Sequence, residues 1–296
     1  MLPWELSIKM RRPWGGLLRA LSGLMLLLWL TGCEKSPIGT SRIQPDNFLQ
    51  LEGQIGLSAE DSPAGVYVWL EGTPIRTHTD ERGRFSIQLS RVTNADLPLR
   101  GAFRLFFFVA NYRIDFANVL IQDGKFLYNR GDVDARGRIT RPKQLKKLLS
   151  VKVAVSPEAV NEDVQQLIQI RLALAAIDDS VTVIFPKMAG SFLGAVLFHH
   201  LDTDSVYAEI SDIDFQNAIT LKIGQEEQEW IVQIDYLPGM FPIGRYRVVP
   251  YFLIQQEDLP SGLLESIDAR VSQFGPAYLK YPLKRREAIL EIRPGQ

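Results

Sequence analysis

The chain has 296 residues, of which 46% are hydrophobic and 23% are charged, and its formal net charge is −1. This composition is typical of a packed globular protein and excludes a collagen-like, disordered or disulfide-stapled chain. The near-neutral charge argues against nucleic acid as a partner, because nucleic-acid binders carry a clear basic excess. The single cysteine excludes an internal disulfide and a cysteine-rich metal cluster.

Residues 1–32 have the pattern of a secretory signal peptide. Four basic residues precede an apolar stretch that runs from Ala20 to Leu30. This stretch is shorter than the roughly 20 residues that span a bilayer, but it suits the apolar region of a signal peptide. Either Met1 or Met10 would open a normal signal of this kind.

The apolar stretch ends in Leu30-Thr31-Gly32-Cys33. This motif resembles the lipobox of bacterial lipoproteins, which implies cleavage before Cys33 and lipidation of its thiol with acyl chains such as palmitate. The alternative is an uncleaved membrane anchor in which Cys33 is an ordinary small residue. Residues 1–32 hold four of the basic residues and one of the acidic ones, so the mature chain would carry a net charge of −4. Anchoring would then depend on the acyl chains rather than on a basic patch.

Residues 33–47 are polar and rich in turn formers, which predicts a flexible tether, and short strands begin at Phe48. In residues 65–70, alternation places three aliphatic side chains on one face of a strand and Tyr67 and Trp69 on the other. The run from 103 to 114 is the most apolar predicted strand, and another is expected at 117–121. The three consecutive phenylalanines of the strand at 103–114, Phe106, Phe107 and Phe108, cannot share one face. Either both faces are covered, or Phe107 lies at a partner-binding or sugar-binding surface.

Three motifs within residues 48–125 resemble the carboxypeptidase regulatory-like domain, a small transthyretin-like β-sandwich. They are Gly53-Gln54-Ile55, the strand and turn at 65–73, and Thr79-Asp80-Glu81-Arg82-Gly83-Arg84-Phe85. In the last motif we expect a structural turn made by Thr79, Asp80, Gly83 and Phe85. Asp80 would accept hydrogen bonds from local amides, Gly83 would supply a positive φ, and Phe85 would re-enter the core. The resemblance implies a non-catalytic module. Asn111-Tyr112 departs from it, because many members have Gly-Tyr there.

Residues 126–150 are interpreted as a connector, and residues 151–296 as a second β-sandwich of immunoglobulin-like type. Residues 168–174 alternate with period two, and the turn at 178–180 and the strand at 181–185 follow as in a hairpin. A helix from Pro157 to Ala176 is the alternative, and 261–274 would form a short helix or an irregular loop. Further strands are expected at 194–198, 206–210, 219–223, 229–234, 246–254 and 288–292. The predicted fold class is therefore all-β, with two tandem β-sandwich domains after the signal peptide.

Two groups of residues raise the question of a metal site. His78 and Glu81 have the H-x-x-E spacing of zinc carboxypeptidases, and His199 or His200 follows as a distant third ligand. The regulatory-like turn accounts for the same residues, and no helix–strand alternation indicates a catalytic domain. An acidic cluster stands around the strand at 206–210 and would either bind calcium or form solvated strand ends. Its members are Asp202, Asp204, Asp212 and Asp214.

The sequence lacks a nucleophile elbow, a zinc-protease helix motif, a P-loop and a dinucleotide fingerprint, so we expect no enzyme activity and no cofactor. The leading hypothesis is a lipoprotein of the bacterial cell envelope, anchored in the inner or the outer membrane. It would be a non-catalytic binding or structural module for an envelope protein or glycan. The alternatives are an envelope hydrolase with a divergent metal site and a calcium-stabilised, adhesin-like module.

Overall fold

The computed structural model describes residues 48–58, 61–89, 99–187, 195–210 and 214–295. The signal peptide, Cys33 and the tether lie outside these ranges. The described strands are, in chain order, β1 (Gln50–Leu57), β2 (Tyr67–Leu70), β3 (Arg76–His78), β4 (Arg84–Gln88), β5 (Gly101–Phe108), β6 (Asp115–Gln122), β7 (Lys125–Phe126), β8 (Lys143–Leu145), β9 (Leu149–Ser156), β10 (Ala159–Asn161), β11 (Gln166–Ala176), β12 (Val181–Lys187), β13 (Ala195–His200), β14 (Val206–Ile210), β15 (Asp214–Ile223), β16 (Gln228–Tyr236), β17 (Gly244–Pro250), β18 (Leu253–Ile254) and β19 (Ala288–Arg293). The helices described are α1 (Leu263–Ile267) and a 3₁₀ helix (Pro276–Lys280).

The chain folds as an all-β, multi-sheet sandwich, which confirms the predicted fold class. A three-stranded sheet has the order β4-β1-β8, and a five-stranded sheet has the order β3-β2-β5-β6-β7. The C-terminal half contributes a five-stranded sheet, β10-β19-β17-β13-β14, and two three-stranded sheets, β16-β11-β9 and β15-β12-β18. Most neighbouring strands are antiparallel, while β1 with β8 and β10 with β19 are parallel.

Both faces of the β2–β5 pair are buried. Val68 and Phe107 belong to one hydrophobic cluster, which also contains side chains of β1, β4 and β6. Trp69, Phe106 and Phe108 belong to a second cluster, which is formed mainly by residues after 148. The prediction that both faces are covered is therefore confirmed, and Phe107 is fully buried rather than displayed. Burying a phenylalanine side chain contributes about 1.5–3 kcal/mol, so these strands link the two halves strongly.

Asn111 joins the two halves with hydrogen bonds. Its side chain is fully buried, and Nδ2 donates to the carbonyls of Leu149 (3.0 Å) and Lys284 (2.8 Å). Oδ1 accepts a hydrogen bond from the backbone N–H of Lys284 at 3.0 Å. The strand predicted for 103–114 ends at Phe108, because Val109–Tyr112 form a turn in which the Tyr112 N–H donates to the Val109 carbonyl. That turn gives Asn111 its position between the halves.

Residues 48–296 form one compact unit. The predicted connector at 126–150 contains β8 and the end of β7, and its side chains Val133, Ile139 and Leu145 lie in the first cluster. The division into two sandwich domains, with boundaries at 125 and 151, stays a prediction. The helix considered for 157–176 is wrong, because β11 pairs with β16 and β9 over most of that range. Within 261–274, the short helix is α1.

Candidate functional site

A cleft of about 830 Å³ opens between β3 and the segment that follows the 3₁₀ helix. Five of its lining side chains are cationic and one, Glu287, is a carboxylate. We call it the basic cleft, and its cations are Arg76, Arg247, Lys280, Lys284 and Arg285. This excess of positive charge stands in a chain whose net charge is −1. Clustered cations in a concave surface concentrate the positive potential there.

The outer wall of the basic cleft is held by contacts of β2 and β3 with α1. The Arg76 guanidinium donates to the Ser266 carbonyl, and the Tyr67 hydroxyl lies 2.9 Å from the Ser266 hydroxyl. Nearby, Lys280 forms an ion pair with Asp268 at 2.7 Å. This hydrogen bond from Lys280 lowers the pKa of the Asp268 carboxyl, so the two charges offset each other. Arg76 has no such carboxylate partner among the described residues.

Lys284 is positioned by its backbone and by its ammonium group. Asn111 holds the backbone N–H, and Nζ donates to the Ala64 carbonyl at 2.5 Å. Burial lowers the pKa of Lys284, while the charges of Asp61 and Glu287 oppose that shift. Lys284 stands at the cleft wall without a direct salt bridge in the described part of the chain.

Asp61 is the carboxylate whose negative charge acts on Lys284. It accepts hydrogen bonds from the Tyr112 hydroxyl and from Lys147 Nζ, the latter at 2.7 Å. Partial burial acts to raise the pKa of Asp61, but these hydrogen bonds and the charges of Lys147 and Lys284 outweigh it and lower the pKa. Asp61 is thus held in its ionised form.

The inner end of the cleft contains two arginines and one carboxylate. Arg247 Nε lies 2.9 Å from Glu287 Oε1, but its N–H is not aligned for a hydrogen bond, so the contact is an ion pair only. Arg285 Nε is buried and has no hydrogen-bond acceptor within the described ranges. Burial lowers the pKa of Arg285, yet a guanidinium remains charged in proteins. Arg285, Arg247 and Glu287 line the same cleft, and the charges of Glu287 and Arg247 both act on Arg285.

His199 adds a third unsatisfied nitrogen beside this group. It stands directly opposite Arg247 on the neighbouring strand, so both side chains lie on the same face of the sheet. Its Nδ1 is buried without a hydrogen-bond partner, whereas Nε2 lies 2.5 Å from Asp204 Oδ1. The buried side-chain atoms without partners in the described residues are therefore those of His199, Arg247 and Arg285.

The turn predicted from the regulatory-like motif has the following geometry. Asp80 Oδ1 accepts the backbone N–H groups of Arg82 (2.9 Å) and Arg84 (2.8 Å). Gly83 has φ +74°, and a Cβ there would lie 2.0 Å from the Ile55 carbonyl oxygen. Phe85 is buried. The Thr79 hydroxyl accepts from the Val66 N–H at 2.9 Å and donates to the Pro63 carbonyl.

The residues considered as metal ligands have other surroundings. His78 stands at the rim of the basic cleft, where its ring packs on Tyr67 at 5.3 Å between centroids. Partial burial and the charge of Arg76 lower its pKa. Glu81 is exposed in the turn. Within the described ranges, no three histidine, cysteine, aspartate or glutamate side chains are grouped as a metal site. Of the acidic cluster, the side chains of Asp202 and Asp204 are described and exposed.

Sequence reasoning did not identify Arg247 and Arg285 as site residues. The basic run Lys284-Arg285-Arg286 was the available signal, but such runs are usually solvated. The pairing of β17 with β13 positions Arg247 opposite His199, and the buried Nε atom of Arg285 shows that part of this run faces inward.

The described residues thus define an all-β sandwich protein with one strongly basic cleft. No family model and no curated protein matches the sequence. Among solved structures, the chain is similar to the major pilin subunit of Bacillus cereus, with 13% identity and a TM-score of 0.23 over 70% of this chain and 66% of the pilin. It is also similar to a Pseudomonas fluorescens alkylpurine DNA glycosylase, with 13% identity and a TM-score of 0.23 over 36% of this chain and 27% of the glycosylase. Similarity of this size does not define a function. No helix in the described ranges is long and apolar enough to cross a membrane.

Proposed function

We propose that this chain is a lipid-anchored lipoprotein of the bacterial envelope, whose β-sandwich body is a non-catalytic binding module. The lipobox-like motif ending at Cys33 supports the anchor. Each buried methylene of an acyl chain contributes about 0.8 kcal/mol, so two or more chains give stable attachment. The folded body would then be displayed beside the membrane, where an envelope protein or glycan is within reach.

The observation that carries the binding role is the basic cleft. Five cationic side chains and one carboxylate line it, and within the described residues two of these cations form ion pairs, Arg247 with Glu287 and Lys280 with Asp268. Charge of one sign in a concave site attracts partners of the opposite sign and rejects like-charged ones. The partner that fits this site presents acidic groups, either on a polypeptide or on a glycan.

The binding role is tested by charge reversal at the cleft rim. Arg76→Glu reverses one charge of the cleft at an exposed position and also removes the hydrogen bond to the Ser266 carbonyl, so circular dichroism must first show that the variant folds as wild type does. The matched control is Arg141→Glu, which reverses an exposed arginine far along the chain and outside the cleft lining. Chemical cross-linking in intact cells, followed by purification, should recover the same acidic partner with wild type and Arg141→Glu but not with Arg76→Glu. Equal recovery with all three proteins would contradict the proposal.

The anchor is tested separately with Cys33→Ala. Wild type should fractionate with membranes and incorporate labelled palmitate, whereas the variant should do neither. A variant that still fractionates with membranes would favour the uncleaved anchor over lipidation.

A further inference from the structure

We infer that the inner end of the basic cleft is a carboxylate-binding site, in which Arg247 and Arg285 receive a carboxylate group of the partner beside Glu287. This inference rests on the proposed binding function and specifies its ligand chemistry. The geometry that points to it is a pair of guanidinium groups that line one cleft with Glu287, with both Nε atoms buried and without a hydrogen-bond acceptor in the described residues.

The charges at this position do not balance. Arg247 and Arg285 carry two positive charges, and Glu287 supplies one negative charge. Both Nε–H groups are buried without an acceptor, which is unfavourable, while the Arg247 and Glu287 side chains keep 34% and 46% of their surface exposed. A water molecule would satisfy the N–H but not the charge. A bound monoanion satisfies both.

The chemistry of the site favours a carboxylate as that monoanion. The fork of an arginine matches a carboxylate with two parallel hydrogen bonds, and Arg247 Nε already lies 2.9 Å from a carboxylate oxygen of Glu287 as an ion pair. One further carboxylate brings the sum of charges to zero. A phosphate dianion would instead place excess negative charge against Glu287.

The cleft also has the space and the walls for the group that carries the carboxylate. Its volume of about 830 Å³ lies within the range of small-molecule sites, and it opens toward the rim where Arg76 and His78 stand. Tyr67 and Leu283 provide partly apolar walls. The carboxylate would come from an acidic sugar or from an amino acid, since both fit this opening.

The test is calorimetric titration of the full-length chain in detergent with D-glucuronate and with the α-amide of N-acetyl-L-glutamate, each of which is a monoanion. Binding of either acid supports the site, and the tighter one tells which source it recognises. Glucose, which lacks the carboxylate, should not bind. Inorganic phosphate that bound as tightly as the better acid would overturn the assignment, as would the absence of binding by both acids.

Variants connect binding to the inner arginines. Arg285→Met should weaken binding at least tenfold, and Arg285→Lys, which keeps the charge without the fork, should have an intermediate affinity. The matched control is Arg286→Met, because Arg286 is exposed and lines a different groove. It should leave the affinity unchanged.

Glu287→Gln provides an independent measurement that does not remove an arginine. Because Glu287 repels an incoming carboxylate and occupies Arg247, this variant should bind the acids at least threefold more tightly. Unchanged or weaker binding would overturn the inference. If neither acid binds while Arg76→Glu still abolishes partner recovery, the carboxylate site is wrong and the proposed function stands. If Arg76→Glu has no effect either, both are wrong.

Discussion

Asn111→Ala should be among the most destabilising single substitutions in this protein. The side chain is fully buried and makes three hydrogen bonds, to Leu149 and to both backbone groups of Lys284, at 2.8–3.0 Å. Each lost hydrogen bond costs about 1 kcal/mol, and backbone groups left buried without a partner add to this. We expect a loss of about 3–5 kcal/mol in the free energy of unfolding, against a total of about 5–15 kcal/mol for a typical domain.

Urea denaturation of the full chain, followed by tryptophan fluorescence, measures this loss. The midpoint should fall while the slope of the transition stays the same, because residues 48–296 are one compact unit. Asn118→Ala is the control, since Asn118 is exposed on β6, and it should change stability by less than about 0.5 kcal/mol. A loss below about 1 kcal/mol for Asn111→Ala would show that these hydrogen bonds do not hold the halves together.

Three further outcomes follow from the same structure. Gly83→Ala should lower the free energy of unfolding by more than about 2 kcal/mol, because the added Cβ would meet the Ile55 carbonyl. Gly72 also has a positive φ but faces open space, so Gly72→Ala should lower it by about 1 kcal/mol. Equal losses for the two variants in thermal melts would contradict the clash. Asp61→Asn should destabilise the protein at pH 7. The pKa of Asp61 is lowered in the folded protein, so the difference in stability between Asp61→Asn and wild type is fully present above about pH 5 and disappears as the pH falls below about 4. A stability difference that urea melts find to be independent of pH would refute the assignment. Without added anion, Arg285→Met should leave the free energy of unfolding unchanged or raise it by up to about 3 kcal/mol, because the substitution removes an unpaired buried charge. A loss above about 1 kcal/mol in urea melts would show that another group compensates this charge.

Local patterns were sufficient to predict most strands. In β2, the alternation of Val66 and Val68 with Tyr67 and Trp69 assigns the side chains to two faces, and the structure places those faces in two different hydrophobic clusters. A period of two is a property of the backbone itself, so a sequence shows it directly. The end of β5 at Phe108 was not predicted, because the following residues remain apolar and only their packing decides that they turn.

The role of Asn111 shows what a pattern alone does not contain. In the sequence it is a departure from the Gly-Tyr of the regulatory-like motif. In the structure, its amide satisfies backbone groups 38 and 173 residues away. Hydrogen bonds of that sequence separation depend on which strands become neighbours, and this is decided by the burial of whole faces rather than by any local preference.

The sequence by itself determined the lipobox-like motif, the all-β class and the turn chemistry around Asp80 and Gly83, because each depends on residues that are close in the chain. Only the tertiary structure decided that Arg76, Arg247 and Arg285 line one cleft. Each arginine taken alone is an ordinary surface cation. Strand pairing positions Arg76 and Arg247, and the Nε atoms of Arg247 and Arg285 are buried without an acceptor in the described residues, because contacts between segments far apart in the chain enclose them.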